Sequence, residues 1–112
     1  MPKPLPPETK MNKTESAYAN HLHLLKCAGE IIDWRFEGIK FRLADGAIYT
    51  PDFLVVYKDR FEIHETKGFW REAARVRIKV AADLYPWFPF RAIKLIKGNW
   101  VEERINHKDL PQ

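Results

Sequence analysis

A chain of 112 residues with net charge +4, 30% charged residues and a single cysteine has the size of one domain, able to bury roughly two-thirds of its unfolded surface around one modest core. Cys27 alone excludes an intramolecular disulfide and a cysteine-rich zinc site, and no apolar run approaches the ~20 residues of a membrane span. The first residues also lack the apolar segment of a signal peptide, so the expectation is a soluble, cytoplasmic protein with no membrane partner and a mild bias toward polyanions.

Residues 1–11 form a proline-rich segment with little that could pack, and are expected to be a flexible tail. Structure is predicted to begin at Asn12, because Asn12-Lys13-Thr14-Glu15 has the form of a capping box. Ala17, Tyr18, His21, Leu22, Leu24, Leu25 and Ala28 continue as an apolar stripe at helical spacing, and Gly29 is the stop. From Ile31 to Leu43 the pattern alternates, with its parity slipping by one at Glu37-Gly38, which predicts one long strand carrying a β-bulge. Asp45-Gly46 is a hairpin dipeptide. A second strand follows from Ile48 to Tyr57, interrupted by Pro51, then a turn at Lys58-Asp59-Arg60 and a third strand from Phe61 to Lys67.

After Gly68 the period becomes helical again. Phe69, Ala73, Val76, Val80 and Leu84 read as the buried face, with Arg71, Arg75 and Lys79 roughly opposite and Pro86 just beyond the end. Phe90 to Ile96 is a strand, Lys97-Gly98-Asn99 a turn, and Trp100 to Ile105 a last strand. The domain is expected to span 12–106, with a frayed tail over 107–112.

The chemistry concentrates in Thr50 to Gly68. Residues two apart on a strand share a face, so Glu65 and Lys67 point the same way. With a two-residue loop at Asp59-Arg60, Lys58 faces Phe61, Leu54 faces Glu65 and Asp52 faces Lys67. Asp52, Glu65 and Lys67 then converge over a floor of Val56 and Ile63, whereas an odd loop would separate them. Each also has a plain explanation: Asp52 as a turn cap, Glu65 and Lys67 as an ordinary strand pair. Two carboxylates beside a lysine suit hydrolysis of a phosphodiester with Mg²⁺ or Mn²⁺, Asp52 and Glu65 supplying hard oxygen ligands and the Thr66 carbonyl completing the set. Lys67 would orient or deprotonate the attacking water, or stabilise the transition state. Arg71, Arg75 and Lys79, directly after the acid pair, are candidate phosphate contacts. His64 lies on the opposite strand face and reads as packed or surface. Trp70 and Trp87 can stack on unpaired bases but are more often core or interface residues.

Pro51-Asp52 and Glu65-Thr66-Lys67, set on helix, three strands, helix, strand, resemble the PD-(D/E)XK nuclease superfamily, which includes type II restriction enzymes and Holliday junction resolvases. TPDFLV, HETKG and the following helix are similar to a family of small phage and prophage proteins of poorly defined function. The resemblance implies an α/β fold with a restriction-endonuclease-like core and a central mixed sheet, a divalent metal, DNA as partner, and residence in the host cytoplasm if phage-encoded. It also implies an acid from the first helix as a further ligand, for which Glu15 is the candidate, although the capping box explains the same residue. The expected activity is a DNA endonuclease, structure-selective for branched DNA and working as a homodimer. The alternatives are an inactive nucleic-acid-binding module and a protein that acts by binding a host protein.

Overall fold

A computed structural model describes residues 11–67 and 71–105. Residues 1–10, 68–70 and 106–112 lie outside the described residues, and with them most of both expected tails and the expectations placed on Phe69 and Trp70.

The capping box forms as the sequence predicts. Asn12 Oδ1 accepts from the Glu15 amide at 2.7 Å, Glu15 Oε1 accepts from the Asn12 amide at 2.9 Å, and helix α1 runs Lys13–Cys27. It buries Tyr18, Ala19 and Leu22, while Leu24 from the predicted stripe is exposed. The strands are β1 (Asp33–Phe36), β2 (Phe41–Ala44), β3 (Ala47–Tyr49), β4 (Phe53–Val56), β5 (Phe61–Thr66), β6 (Phe90–Ile96) and β7 (Asn99–Ile105), with α2 (Glu72–Leu84) between β5 and β6. The result is an α/β fold with a mixed five-stranded sheet in the order β1-β4-β5-β6-β7. β5 and β6 are parallel and the other neighbours antiparallel. Parallel neighbours need a long crossover, and α2 is that crossover.

The first two predicted strands are each divided in two. β1 pairs with β4, the Glu37 amide donates to the Asp52 carbonyl at 2.7 Å, and pairing resumes one residue out of step at Phe41 opposite Tyr49. The one-residue slip falls where the sequence predicts a bulge, but the strand breaks there instead of continuing through it. It bends the hairpin so far that β2 and β3 leave the main sheet and form a sheet of their own. Glu37 sits at φ 52°, and a Cβ on Gly38 would come within 2.5 Å of Arg35 Cβ. On the return strand, Pro51 has no N–H to keep the ladder going. One long strand is therefore corrected to two, for reasons local to Glu37-Gly38 and Pro51.

The bend places the β2–β3 hairpin on the α2 side of the sheet. There Phe41 and Tyr49 join Ile63, Phe90, Ile78 and Ala81 in one core cluster. On the other side α1 contributes Tyr18 and Leu22 to a cluster with Phe53, Val55 and Ile93. Strand alternation decides the split, since Phe53 and Val55 face α1 while Leu54 and Ile63 face α2. Met11, expected at the end of the tail, packs against the α1 cluster. No helix among the described residues is long and apolar enough to cross a membrane.

The face of α2 is a second correction. Ile78, Ala81 and Ala82 are buried, whereas Val76, Val80 and Leu84 are 49%, 38% and 45% exposed. The helix carries two apolar stripes, and the one with the smaller side chains packs on the sheet, because alanines let the helix approach closely. Accordingly Ile78→Ala is expected to lower the unfolding free energy by about 2–4 kcal/mol, and Val80→Ala by less than about 1 kcal/mol. Denaturant titration of both variants checks this, and the reverse ranking would restore the face expected from the sequence.

Candidate active site

β4 and β5 leave their hairpin with Val56 opposite Phe61, Leu54 opposite Ile63 and Phe53 opposite His64. The loop is therefore four residues, Tyr57 to Arg60, closed by the Tyr57 amide donating to the Arg60 carbonyl at 2.8 Å. This corrects the two-residue loop with Lys58 facing Phe61. The Arg60 guanidinium lies 4.1 Å over the Tyr57 ring and donates to Asp59 and Glu62, which holds the wider loop together. Lengthening the loop by two residues keeps the parity. Asp52 now comes level with Glu65 rather than Lys67, still on the same face.

Past the Phe53–His64 rung, side chains continue the pairing. The Asp52 amide donates to Glu65 Oε1 at 2.9 Å. In return Asp52 Oδ2 accepts from both the amide and the hydroxyl of Thr66, each at 2.9 Å. Glu65 Oε1 also accepts from the Tyr49 hydroxyl at 3.0 Å, and Lys67 Nζ stands 3.4 Å from Glu65 Oε2. Both acids are only 6% exposed. The Thr66 amide points toward Asp52, so its carbonyl, on the same side of an extended strand, faces that way too.

Glu15 joins this group from α1. While its Oε1 completes the cap, its carboxyl lies near enough to Asp52 for the two charges to repel. Burial raises its pKa first, repulsion from Asp52 adds to that, and the Asn12 amide and Lys67 oppose it. Capping and proximity to the acids are thus compatible. Burial likewise pushes Glu65 up to about 7, helped by the charge of Asp52 and opposed by the Asp52 amide, Lys67 and Tyr49. Burial, and then the Glu65 charge, drive the Tyr49 phenol far above its ordinary range, so it remains a donor. Three acids share one lysine, and burial amplifies the imbalance.

Other predicted residues stand apart. Arg75 Nη2 pairs with Glu103 Oε2 of β7 at 3.1 Å, and Arg71 and Lys79 are exposed. None of the three bonds to the acid group. His64 is packed, with Nδ1 2.6 Å from the Tyr18 hydroxyl and Nε2 2.9 Å from Glu62 Oε1. Trp87 is 78% exposed and lines an open groove with Ile32, Phe61 and Phe88 at the turn end of the β4–β5 hairpin, the end away from the acids. Tyr49 went unnoticed at the sequence level, since nothing but the bent hairpin brings a β3 residue to β5.

No group of three or more His, Cys, Asp or Glu side chains among the described residues is arranged to hold a metal ion. Glu65 instead spends one oxygen on Tyr49 and the Asp52 amide, and Asp52 spends one on Thr66. No family model matches this chain, and neither a curated protein nor a solved structure matches it.

The raised pKa of Glu65 has a measurable consequence in metal-free, chelated buffer. Between its ordinary value of 4.5 and about 7 the folded chain binds more protons than the unfolded one. The stability linked to that proton is present in full below 4.5 and is lost as pH rises through about 7. The expected loss is on the order of 1–3 kcal/mol, with a contribution of the same sign from Glu15. Glu65→Gln should remove most of the slope, measured by denaturant unfolding across this range. Identical slopes in the two proteins would make Glu65 an ordinary carboxylate.

Proposed function

We propose that this protein is a divalent-metal-dependent DNA endonuclease with a restriction-endonuclease-like core, selective for branched DNA in the manner of a Holliday junction resolvase. The observation that carries this reading is the convergence of Asp52, Glu65 and Glu15 with Lys67 at one end of β5, with Glu65 raised to about 7. Such a site is short of positive charge and offers only hard oxygen donors, the conditions that favour Mg²⁺ or Mn²⁺ over softer metals. The α/β sheet with a helix on each face supports the same reading.

Asp52, Glu65 and Glu15, with the Thr66 carbonyl, would hold the cation. When bound, it supplies charge neutralisation at the phosphate and acidifies water there. Hydrogen bonds engage Oδ2 of Asp52 and Oε1 of Glu65, so Oδ1 of Asp52 and the Lys67-paired Oε2 of Glu65 would be the oxygens left to hold the cation. Tyr49 holds Glu65 in that orientation from the β2–β3 hairpin. Lys67, a third exposed and beside Glu65 Oε2, serves to orient the attacking water or to neutralise charge on the phosphate oxygens in the transition state. Cutting both strands of a junction calls for two sites and hence two copies of the chain.

Incubation with a labelled four-way junction and its linear duplex, in Mg²⁺, in Mn²⁺ and in chelator, tests this directly. Metal-dependent cutting that prefers the junction is expected. Lys67→Ala should abolish cleavage while leaving metal and DNA binding largely intact, and Asp52→Ala should weaken metal binding itself. Salt-sensitive binding with no cutting in either metal would instead leave a binding module.

Glu15→Gln separates the two roles of that residue. Its amide oxygen can still accept from Asn12 and its charge no longer repels Asp52, so the unfolding midpoint should hold or rise while cleavage falls at least tenfold. A variant that loses stability and keeps full cleavage would reduce Glu15 to a cap.

A further inference from the structure

The basic residues of α2 lie on two different flanks of the helix. Ile78, Ala81 and Ala82 define the buried line. At 100° per residue Arg75 and Lys79 turn to one side of it and Arg77 to the other. The Arg75–Glu103 pair identifies the first flank as the one facing β7, an outer strand of the sheet. Arg77 therefore turns toward the β2–β3 hairpin, on which α2 also packs. The charge of Arg77 reaches the Tyr49 phenol, whose hydroxyl donates to Glu65. Arg77 is exposed and, among the described residues, makes no hydrogen bond or ion pair.

An exposed arginine without an ion-pair partner among the described residues, on the flank of the helix that packs toward the β2–β3 hairpin, has the chemistry of a phosphate clamp. Its planar fork can take two oxygens of one phosphate, which a lysine cannot. The Arg77 head remains in solvent, where a polyanion can meet it.

We propose that Arg77 grips a phosphate of the bound strand next to the one that is cut, so that the nucleic-acid backbone crosses the site on the hairpin flank of α2, between Lys67 and Arg77. The inference rests on the nuclease reading and names the path of the substrate. Arg75 and Lys79, on the β7 flank, are then distal to the scissile phosphate.

The test compares wild type, Arg77→Ala, Arg77→Lys and Lys79→Ala. Binding to a labelled four-way junction is followed by anisotropy at several salt concentrations in chelator, and cleavage in Mg²⁺ at saturating DNA. Loss of one phosphate contact should lower the slope of log affinity against log salt by about 1 in Arg77→Ala. Cleavage at saturation should fall roughly 10- to 100-fold, because a misplaced phosphate lowers turnover as well as affinity. Arg77→Lys should recover the salt slope but only part of the turnover, and Lys79→Ala should leave turnover higher than Arg77→Ala does. Since Arg77 is exposed, the unfolding midpoint should not move. Wild-type slope and turnover in Arg77→Ala, beside a wild type that binds and cuts, would overturn the Arg77 assignment alone. A wild type with no salt-sensitive binding and no cleavage would overturn both this assignment and the nuclease reading.

Discussion

Where the backbone ladder between β4 and β5 ends, two side chains take it over, and the candidate site depends on that exchange. Asp52 donates its amide to Glu65 and receives the Thr66 amide on its own carboxylate. Each acid therefore satisfies a backbone group that strand pairing would otherwise have satisfied. The cost of burying two carboxylates side by side is offset by four donors, three of them from residues of the hairpin itself and the fourth from Tyr49. Such an arrangement fixes one oxygen of each acid, and the second oxygen of Glu65 faces Lys67 Nζ at 3.4 Å. It also ties the site to the register of the sheet, so the acids cannot drift apart without breaking pairing.

The opposite face of β5 shows what sets α1 in place. Glu62 is ionised, held down to about 2; burial pushes the other way, but hydrogen bonds from His64 and Arg60 and the charge of Arg91 prevail. A carboxylate can only accept, so His64 Nε2 must donate to it. Its Nδ1 meets the Tyr18 hydroxyl at 2.6 Å. This chain of hydrogen bonds links α1 to β5 one helical turn beyond Glu15. Rotation of α1 that would carry Glu15 away from Asp52 has to break the Tyr18–His64 bond as well.

Much of this was legible in the sequence, and the exceptions share a cause. The capping box, the Asp45-Gly46 turn and the alternation of β5 are local, so nearby residues determine them. The face shared by Asp52, Glu65 and Lys67 followed from parity, which survives any even change in loop length. Loop length itself was not legible, because it turns on Arg60 stacking over Tyr57. The buried face of α2 was misread for a related reason. Val76, Val80 and Leu84 carry more apolar surface than Ala81 and Ala82, but the sheet selects the side that lets backbones approach, a property of the partner surface rather than of the helix. Tyr49 and Arg77 gain significance only after the hairpin has folded over the sheet, and no spacing along the chain encodes that contact.

Two buried glutamates three residues apart on one strand, Glu62 and Glu65, decide between a structural and a chemical interpretation of the polar core. Both are nearly inaccessible, at 2% and 6% exposed, and burial alone would raise both. Glu62 meets Arg60, Arg91 and His64 and ends well below the usual carboxylate range, a fully compensated charge with nothing left to bind. Glu65 meets another acid and a single lysine at 3.4 Å and ends near 7. If the acids at the end of β5 served only to hold strands together, the cheaper solution three residues away would suit them equally well. Carboxylates left short of positive charge at a strand end, with a half-buried lysine beside them and an exposed arginine on the adjoining helix, are therefore the part of the polar core whose charge the chain itself leaves uncompensated.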